Sequence, residues 1–597
     1  MTTNTTPLRI ANCSGFYGDR IAGAREMVEG GPIDVLTGDW LAELTMLILA
    51  KTRAGGRGGF ARTFVTQMEQ VMGTCLEKGI KVVSNAGGLD PAGCADAVRE
   101  VAAKLGLSPR IAYVAGDDLL PRLGELQAAG HPLKNLDTGE DYGSRSAVTA
   151  NAYLGGWGIT HALNEGADIV ITGRVTDAAV VVGPSAWKFG WKRDDWDALA
   201  GAVVAGHIIE CGSQATGGNY SFFQEIPGLE HPGFPIAEME ADGSFVITKH
   251  ANTGGAVTLG TVTSQLLYEI QGVRYMNPDV VTHFDSIALT QEGPDRVRVS
   301  NIRGEPAPST TKVCINYEGG FRNSMTFCLT GLDIEEKAAL VERTFWGKQK
   351  GGRDGFAQAT TRLVRSDKID PQTNEEAVAL LSFIVKDPDE RKVGRAFSNV
   401  GTEMALSSYP GMFGTGGPGG SSSYGVYWPT LIPSDLCWSE VVLDGKNTVV
   451  ENTLVENTPT TAATRSSVSA ADTPNQPAPT SDTWTGAPTT RVAIGRLVGA
   501  RSGDKGGNAN LGVFCRSAEA FTWLDEFLTA DRLHGLLTDF AARPIRRYRL
   551  PNIWSLNFVI EGLLEEGVAA STRMDGQAKG LGEYFRSRYV DVPASLL

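Results

Sequence analysis

Between residues 8 and 172, short and continuously apolar runs alternate with stretches of helical period. No other pattern in the chain restricts its fold as much. The runs are LRIANC (8–13), IDVLT (33–37), KVVSN (81–85), RIAYVA (110–115) and ADIVIT (167–172). Helical spacing is expected around 20–29 and over 40–51, 60–78, 91–105 and 152–165. Strands that are apolar on both faces belong inside a parallel sheet covered by helices on both sides. The expected class is therefore α/β, a mostly parallel sheet with flanking helices. Past about Gly206 the pattern changes. Strands at 244–249 and 280–289 are joined by Gly, Pro and Asp turns, and helices are expected at 335–346 and 374–385. This reads as a mixed α/β lobe of the same body, with a break near 205.

Residues 456–489 are almost entirely Thr, Ser, Ala, Pro and other polar types. Such a stretch cannot bury a core and reads as a flexible linker. It divides a body, 1–455, from a tail, 490–597. The tail is expected to hold a strand at 490–499, a polar glycine loop at 501–510 and a strand at 511–516. A helix at 518–540, strands at 545–550 and 556–561 and a helix at 576–588 follow. That is a small α+β domain of ferredoxin-like type. No internal repeat is present.

The formal net charge of -14 argues against nucleic acid or an anionic membrane as partner, since both call for clustered Lys and Arg. No 18-residue apolar run exists, and Met1 to Pro7 lacks the charged and apolar regions of a leader, so a cytoplasmic location is expected. The 8 cysteines are scattered without a Cys-x-x-Cys pair, which reads as reduced thiols rather than a zinc or iron–sulfur site. Glycine is in surplus, 72 of 597 residues, about 12% against a usual ~7%. Twelve Gly-Gly doublets occur, and four of them stand beside polar residues in 85–88, 216–219, 253–255 and 505–508. Those four suggest close-approach loops around an anionic ligand.

Standard catalytic motifs are absent. Gly414, Gly416 and Gly419 satisfy G-x-G-x-x-G, but Pro418 interrupts it and no strand-to-helix context surrounds it, so it reads as a glycine-rich loop. Ligands of open parallel sheets bind beyond the carboxyl ends of the strands, so polar residues there rank first. Asp39 and Glu43 follow the second strand, either as helix cap and dipole partner or as a metal-binding or proton-moving pair. Asn85, Gly87 and Gly88 follow the third, as an anion cradle or a plain turn. Arg174 and Asp177 follow ADIVIT, as a carboxylate clamp and its partner or as a structural salt bridge. His207, Glu210 and Cys211 have spacings that share a helix face. There His and Glu can pair as acid and base, and Cys can act as nucleophile. Asn219 follows in a glycine loop. Lys249, ahead of Gly254 and Gly255, suits an anionic or thioester substrate, or forms a solvated charge pair with His250. In the tail, Arg501, Ser502, Asp504, Lys505 and Asn508 read as a loop for phosphate.

Six phrases together resemble one family: GDWLAELTM (38–46), SNAGGLDP (84–91), ADIVITGRVTDAA (167–179), GHIIECGSQATGGNY (206–220), VITKHANTGGAVTLGTVTSQLLYEI (246–270) and ARSGDKGGNANLGV (500–513). They are similar to the acyclic terpene utilisation (AtuA) family, and the tail resembles the small ferredoxin-like domain often attached to it. The resemblance implies a role in degrading citronellol- and geraniol-type compounds through acyl-CoA intermediates. It implies a lyase that cleaves a 3-hydroxy-3-isohexenylglutaryl-CoA-like thioester in a retro-Claisen step, or an acyl-CoA hydratase. No His-x-His metal pair of the hydroxymethylglutaryl-CoA lyases is present, so any metal set must differ, with Asp39 and Glu43 as candidate ligands of a divalent ion.

Two functions of different class follow. In an enzyme, His207 or Glu210 would be the base, Arg174 and Lys249 would hold the distal carboxylate or thioester oxygen, and the tail loop would grip the CoA phosphates. CoA enters as part of the substrate. In a non-catalytic scaffold, the tethered tail would dock a biotin-dependent acyl-CoA carboxylase. A homo-oligomer is expected in either case.

Overall fold

The computed structural model describes residues 6–452, 472–479 and 482–597. Its centre is the alternating region. Strands β1 (Leu8–Asn12), β2 (Val35–Gly38), β3 (Lys81–Ser84), β4 (Ile111–Ala115), β5 (Ala147–Ala152) and β6 (Ile169–Thr172) are interleaved with helices α1 (Gly23–Gly30), α2 (Glu43–Ala54), α3 (Arg62–Lys78), α4 (Pro91–Leu105), α5 (Leu123–Ala128), α6 (Trp157–Asn164), α7 (Ala179–Phe189) and α8 (Trp196–Ile209). Five of the strands lie parallel in the order β1-β2-β3-β6-β4. Every residue of β2 and β6 is buried, as the unbroken apolar runs require. Antiparallel strands extend this sheet at both margins to 11 strands. β7 (Pro235–Met239) and β8 (Phe245–Lys249) lead one margin, and Trp438–Leu443 with Lys446–Glu451 form the other.

Local chemistry sets the ends of the elements. The Asp90 carboxylate accepts the Gly93 N–H at 2.9 Å, Pro91 opens α4, and Gly106 closes it in the left-handed region at φ 69°. The chain forms two compact units. One comprises 1–315, 428–568 and 577–597, and the other 316–427 and 569–576. The smaller unit pairs the second half of the strand Thr310–Thr330 with Val378–Asp387, and packs Phe327, Phe345, Phe383 and Phe397 into one aromatic core.

Several sequence expectations are corrected. Residues 378–387 are a strand, not part of a helix at 374–385; Ala379, Leu381, Phe383 and Val385 alternate with less buried neighbours, a period of two rather than 3.6. The single strand expected at 280–289 is two, Val281–His283 and Ala288–Gly293, parted by a 3-10 turn at Phe284–Ser286. The helix expected at 518–540 is broken into Ala518–Phe527 and Ala530–Leu536, where the Thr529 hydroxyl caps the second by accepting the Arg532 N–H at 3.1 Å.

The largest correction concerns 501–510. It is not a loop but two paired strands, Gly499–Lys505 and Asn508–Phe514, in register from Gly499 opposite Phe514 to Lys505 opposite Asn508. Only Gly506 and Gly507 remain as the turn, with Gly506 at φ 62°. A two-residue glycine turn is the geometry that matches strand twist, and it suits a hairpin. The hairpin belongs to a four-stranded antiparallel sheet, completed by Ser555–Ile560 and Ile545–Leu550. Of the stretch read as linker, 456–471, 480 and 481 lie outside the described residues. Asn475 is bound to the edge of that sheet, its N–H donating to Arg547 O at 2.8 Å and its Oδ1 accepting the Arg547 N–H at 3.0 Å.

Candidate functional site

Residues just past the carboxyl ends of β2 and β6 lie within electrostatic reach of the end of α8. Asp39 follows β2, and its Oδ1 accepts the Leu41 N–H at 2.9 Å and the Asn85 amide at 2.5 Å. Asn85 in turn accepts the Trp40 N–H at 2.9 Å. Asp39 is therefore a turn residue; α2 begins later, at Glu43, after Ala42. Glu43 faces Tyr153, whose hydroxyl donates to Oε1 at 3.3 Å, and Lys312 Nζ at 3.6 Å. Arg174 follows β6 and is 2% exposed. Its Nη2 lies 3.0 Å from Asp177 Oδ1, its Nη1 donates to Leu41 O at 3.2 Å, and its guanidinium covers the Tyr153 ring at 4.2 Å.

His207 lies in the last turn of α8, and Glu210 continues the helical backbone just past its end. The spacing of three therefore holds, and His207 Nδ1 stands 3.4 Å from Glu210 Oε1. Both are buried, and His207 packs beside the rings of Tyr275 and Phe284. Oε2 of Glu210 has no hydrogen-bond partner among the described residues, while the His207 ring faces Glu210 Oε1 and the Leu266 backbone. An unpaired buried polar atom is costly, so Glu210 Oε2 calls for a hydrogen-bonding partner.

The charges around this pair set its protonation. Burial, then the Lys505 ammonium, holds the His207 imidazole down at about 4. Burial, then Asp177 and Glu269, pushes the Glu210 carboxyl well above the usual range, and burial and Asp177 do the same to Asp39. At neutral pH the imidazole is neutral, and the carboxyl beside it is pushed toward its protonated form. Burial opposes ionisation of Glu43 as well, but Lys312, Lys505 and Arg174 outweigh it and hold that carboxyl at about 2. Lys505 lies in the same field. Burial would lower its pKa, but Tyr275, Glu269, Glu43 and Asp177 raise it above its ordinary value.

Some expected residues are placed elsewhere or are occupied. Lys249 is not at the site: its ammonium is held by Asp295 Oδ2 at 3.1 Å and Thr253 O at 2.9 Å. Gly87 and Gly255 are filled by protein, since a Cβ at either would stand 2.5 Å from the carbonyl oxygen of Thr172 or Thr216. A Cβ at Gly88 or Gly254 would likewise meet Leu49 or the Gly228 carbonyl oxygen, and Asn219 is an exposed left-handed turn residue. Cys211 is close to the dyad, but burial and then Glu210 push its thiol well up, which removes the thiolate a nucleophile needs.

The phosphate loop also dissolves. Arg501 bonds Gln214 and covers the Tyr268 ring at 4.3 Å; Ser502 Oγ accepts the Gly582 N–H at 2.9 Å; Asn508 Nδ2 donates to Asp137 at 2.9 Å. Asp504 pairs with Lys579 at 3.1 Å, and burial with Glu269 raises its carboxyl to about 6. Asp39 and Glu43 do not converge as metal ligands. No group of three or more His, Cys, Asp or Glu among the described residues could hold a metal ion. No helix among them is long and apolar enough to cross a membrane.

The sequence reading gave no role to Tyr153, Tyr275 and Lys312, which lie outside the quoted phrases, or to Glu269, which lies within one of them. It also missed Asp117, which does follow a strand, in Ala115-Gly116-Asp117-Asp118. Asp117 Oδ2 accepts the Arg174 N–H at 2.9 Å and the Asn151 amide at 2.8 Å, and burial raises its carboxyl to about 7. Ranking every strand end in turn would have found it.

Against protein families, the chain matches the model of the acyclic terpene utilisation family protein AtuA over residues 8–443 and that of the AtuA ferredoxin-like domain over 492–591. Among curated proteins and solved structures, none matches.

Proposed function

We propose, from the premise that the chain belongs to the acyclic terpene utilisation (AtuA) family, that it is an enzyme acting by proton transfer on a branched 3-hydroxyacyl thioester. The reaction that suits the site best is retro-Claisen cleavage. The observation that carries this reading is the buried His207–Glu210 pair with its unpartnered Oε2, within electrostatic reach of the buried Arg174 guanidinium. Cleavage needs a group that takes the proton of the 3-hydroxyl and returns one to carbon. The hydroxyl proton passes to Glu210 Oε2 while the proton already on Oε1 moves to His207 Nδ1. The C2–C3 bond breaks, C3 becomes a carbonyl, and the electron pair goes to C2 as a thioester enolate. The proton then leaves Oε2 for C2, and the dyad returns to its starting form. A cation beside the developing enolate oxygen lowers the barrier, and Arg174 is that cation, fixed by Asp177 and Leu41 before substrate arrives.

Hydration of an enoyl thioester would use the same two groups in the same order, so the site chemistry covers both. The test is turnover of a panel of 3-hydroxyglutaryl- and branched enoyl-CoA thioesters by the purified chain. Glu210→Gln should lower kcat by about 10²–10⁴-fold with little change in KM. Absence of turnover across the panel, with and without divalent metal, would refute the enzyme and leave the scaffold.

A further inference from the structure

A cavity of about 320 Å³ opens beyond the carboxyl ends of β3 and β4, the two strands that flank β6. Open parallel sheets take their ligands at such ends. The charged side chains that line it are Asp90, Asp117, Asp118 and Glu440, and no Lys, Arg or His among the described residues lines it. None of the four carboxylates has an ion pair among the described residues; each accepts only neutral N–H groups. Asp90 takes the Gly93 N–H, Asp118 the Leu120 N–H at 3.0 Å, and Glu440 the indole N–H of Trp438 at 3.1 Å, while Asp117 takes the Arg174 backbone N–H and the Asn151 amide.

The chain gathers this lining from several elements. Gly116 turns the backbone at the end of β4 with φ 102°, and a Cβ there would stand 2.3 Å from Trp438 O. Asp117 and Asp118 follow that turn. Gly173 makes room for the first of them, since a Cβ at Gly173 would stand 2.2 Å from Asp117 Oδ1. Antiparallel pairing sets Glu440 opposite Ala115, and an isolated bridge sets Asn151 opposite Asp118. Asn151 also lines the cavity and is 1% exposed. Its amide donates to Asp117, and its Oδ1 has no hydrogen-bond partner among the described residues. A buried acceptor without a donor is unfavourable, and a donor arriving in the cavity would satisfy it.

The first turn of α4 borders the same cavity, and a helix N-terminus alone draws an anion. Its dipole amounts to about half a charge, however, and the Asp90 carboxylate already caps it. The carboxylates outweigh it, and the apolar walls of Leu89, Pro91 and Val442 concentrate their field. A metal ion does not suit the place, because no group of three or more His, Cys, Asp or Glu among the described residues could hold one. The carboxylates stand on separate elements, at the start of α4, past the end of β4 and on the edge strand Trp438–Leu443, so an extended cation reaches more of them than a compact one. An ammonium group brings three donors and no acceptor, and an alkyl stem suits the apolar walls. We propose that this cavity binds a small aliphatic diamine, held between Asp117 and Asp118 past the end of β4 and Glu440 on the edge strand. The inference does not depend on the reaction proposed above. Its occupant would touch the carboxylate that braces the Arg174 backbone.

The test is calorimetry of the full chain with putrescine and with the diol of the same chain length, at about 0.15 M salt, where loose surface attraction is screened. Putrescine should bind and the uncharged diol should not. Asp117→Asn and Glu440→Gln each keep an oxygen in place, and each should weaken binding by about ten-fold or more, as loss of a charge-assisted hydrogen bond does. Glu440 is only partly buried on its edge strand, so Glu440→Gln gives the answer even where Asp117→Asn fails to fold. Glu69→Gln, on the exposed side of α3, should leave binding unchanged. Burial raises the Asp117 carboxyl to about 7. An ammonium beside it favours the ionised form, so binding near neutral pH should release protons, seen as a dependence of the heat on the buffer, and Asp117→Asn should abolish the release. No binding of putrescine, equal binding of the diol, an unchanged Kd in Glu440→Gln or an equal loss in Glu69→Gln would each overturn the inference. Proton release that survives Asp117→Asn would place the diamine elsewhere and overturn it too.

Discussion

Asp117 ties the pH dependence of stability to the scaffold behind Arg174. It is 3% exposed, and one oxygen accepts two N–H groups, from Arg174 and Asn151. Burial nonetheless wins and raises its carboxyl from 3.8 to about 7. Between those two values the folded chain holds a proton that the unfolded chain has lost. Stability from this group is therefore complete below about pH 4, falls as pH rises, and is exhausted above about pH 7. At 1.36 kcal/mol per unit, the loss is about 4 kcal/mol. With roughly 2 cal/mol/K of unfolding entropy per residue over a unit of this size, that is on the order of 5 °C in Tm. Asp117→Asn keeps an oxygen for the two N–H donors and removes the titration. Thermal unfolding of both proteins from pH 4 to 8 isolates the term, because other titrating groups cancel in the difference. The variant should gain on the wild type as pH rises from 4 to 7 and hold a constant margin above. Parallel Tm curves would refute the argument that burial outweighs the two hydrogen bonds.

Three further outcomes are expected. Asp525→Ala removes the carboxylate that bonds Arg547 and Arg549 at 2.5 Å and leaves Arg547 buried and uncompensated; the C-terminal domain should lose about 3–5 kcal/mol in urea unfolding followed by Trp fluorescence. Cys211→Ser should retain turnover within about three-fold, and Cys211 should alkylate with iodoacetamide more slowly than a free thiol, since its thiol is pushed well up. Gly507→Ala would place a Cβ against the carbonyl oxygen of Glu565; hydrogen exchange across 500–513 should quicken while the parallel strands keep their protection.

The parallel sheet was legible in the sequence because its cause is local. A strand buried on both faces must be apolar throughout, and LRIANC and ADIVIT say so without reference to distant residues. The capping of α4 is local too, since Asp90, Pro91 and Gly106 act within a turn of the helix they bound. His207 and Glu210 are three residues apart on one helix, so their pairing could be read before any fold was known. Where the sequence misled, a competing signal won. Residues 378–387 satisfied a helix loosely and a strand strictly. The glycine-rich 501–510 looked like a loop because polar residues are rare in strands, yet those side chains are spent on partners in the body.

The sequence by itself determined the fold class, the family and the approach of His207 to Glu210, because each is written in neighbouring residues or in phrases that stand in order. Only the tertiary structure decided which charges meet. Lys249 and Lys505 looked alike in sequence, each a lysine ahead of a glycine doublet. One is neutralised by Asp295, and the other is brought by a hairpin to Glu43, Asp177 and His207 across more than 290 positions of chain. Electrostatic interaction depends on distance in space and on burial, and neither is a property of spacing along the chain.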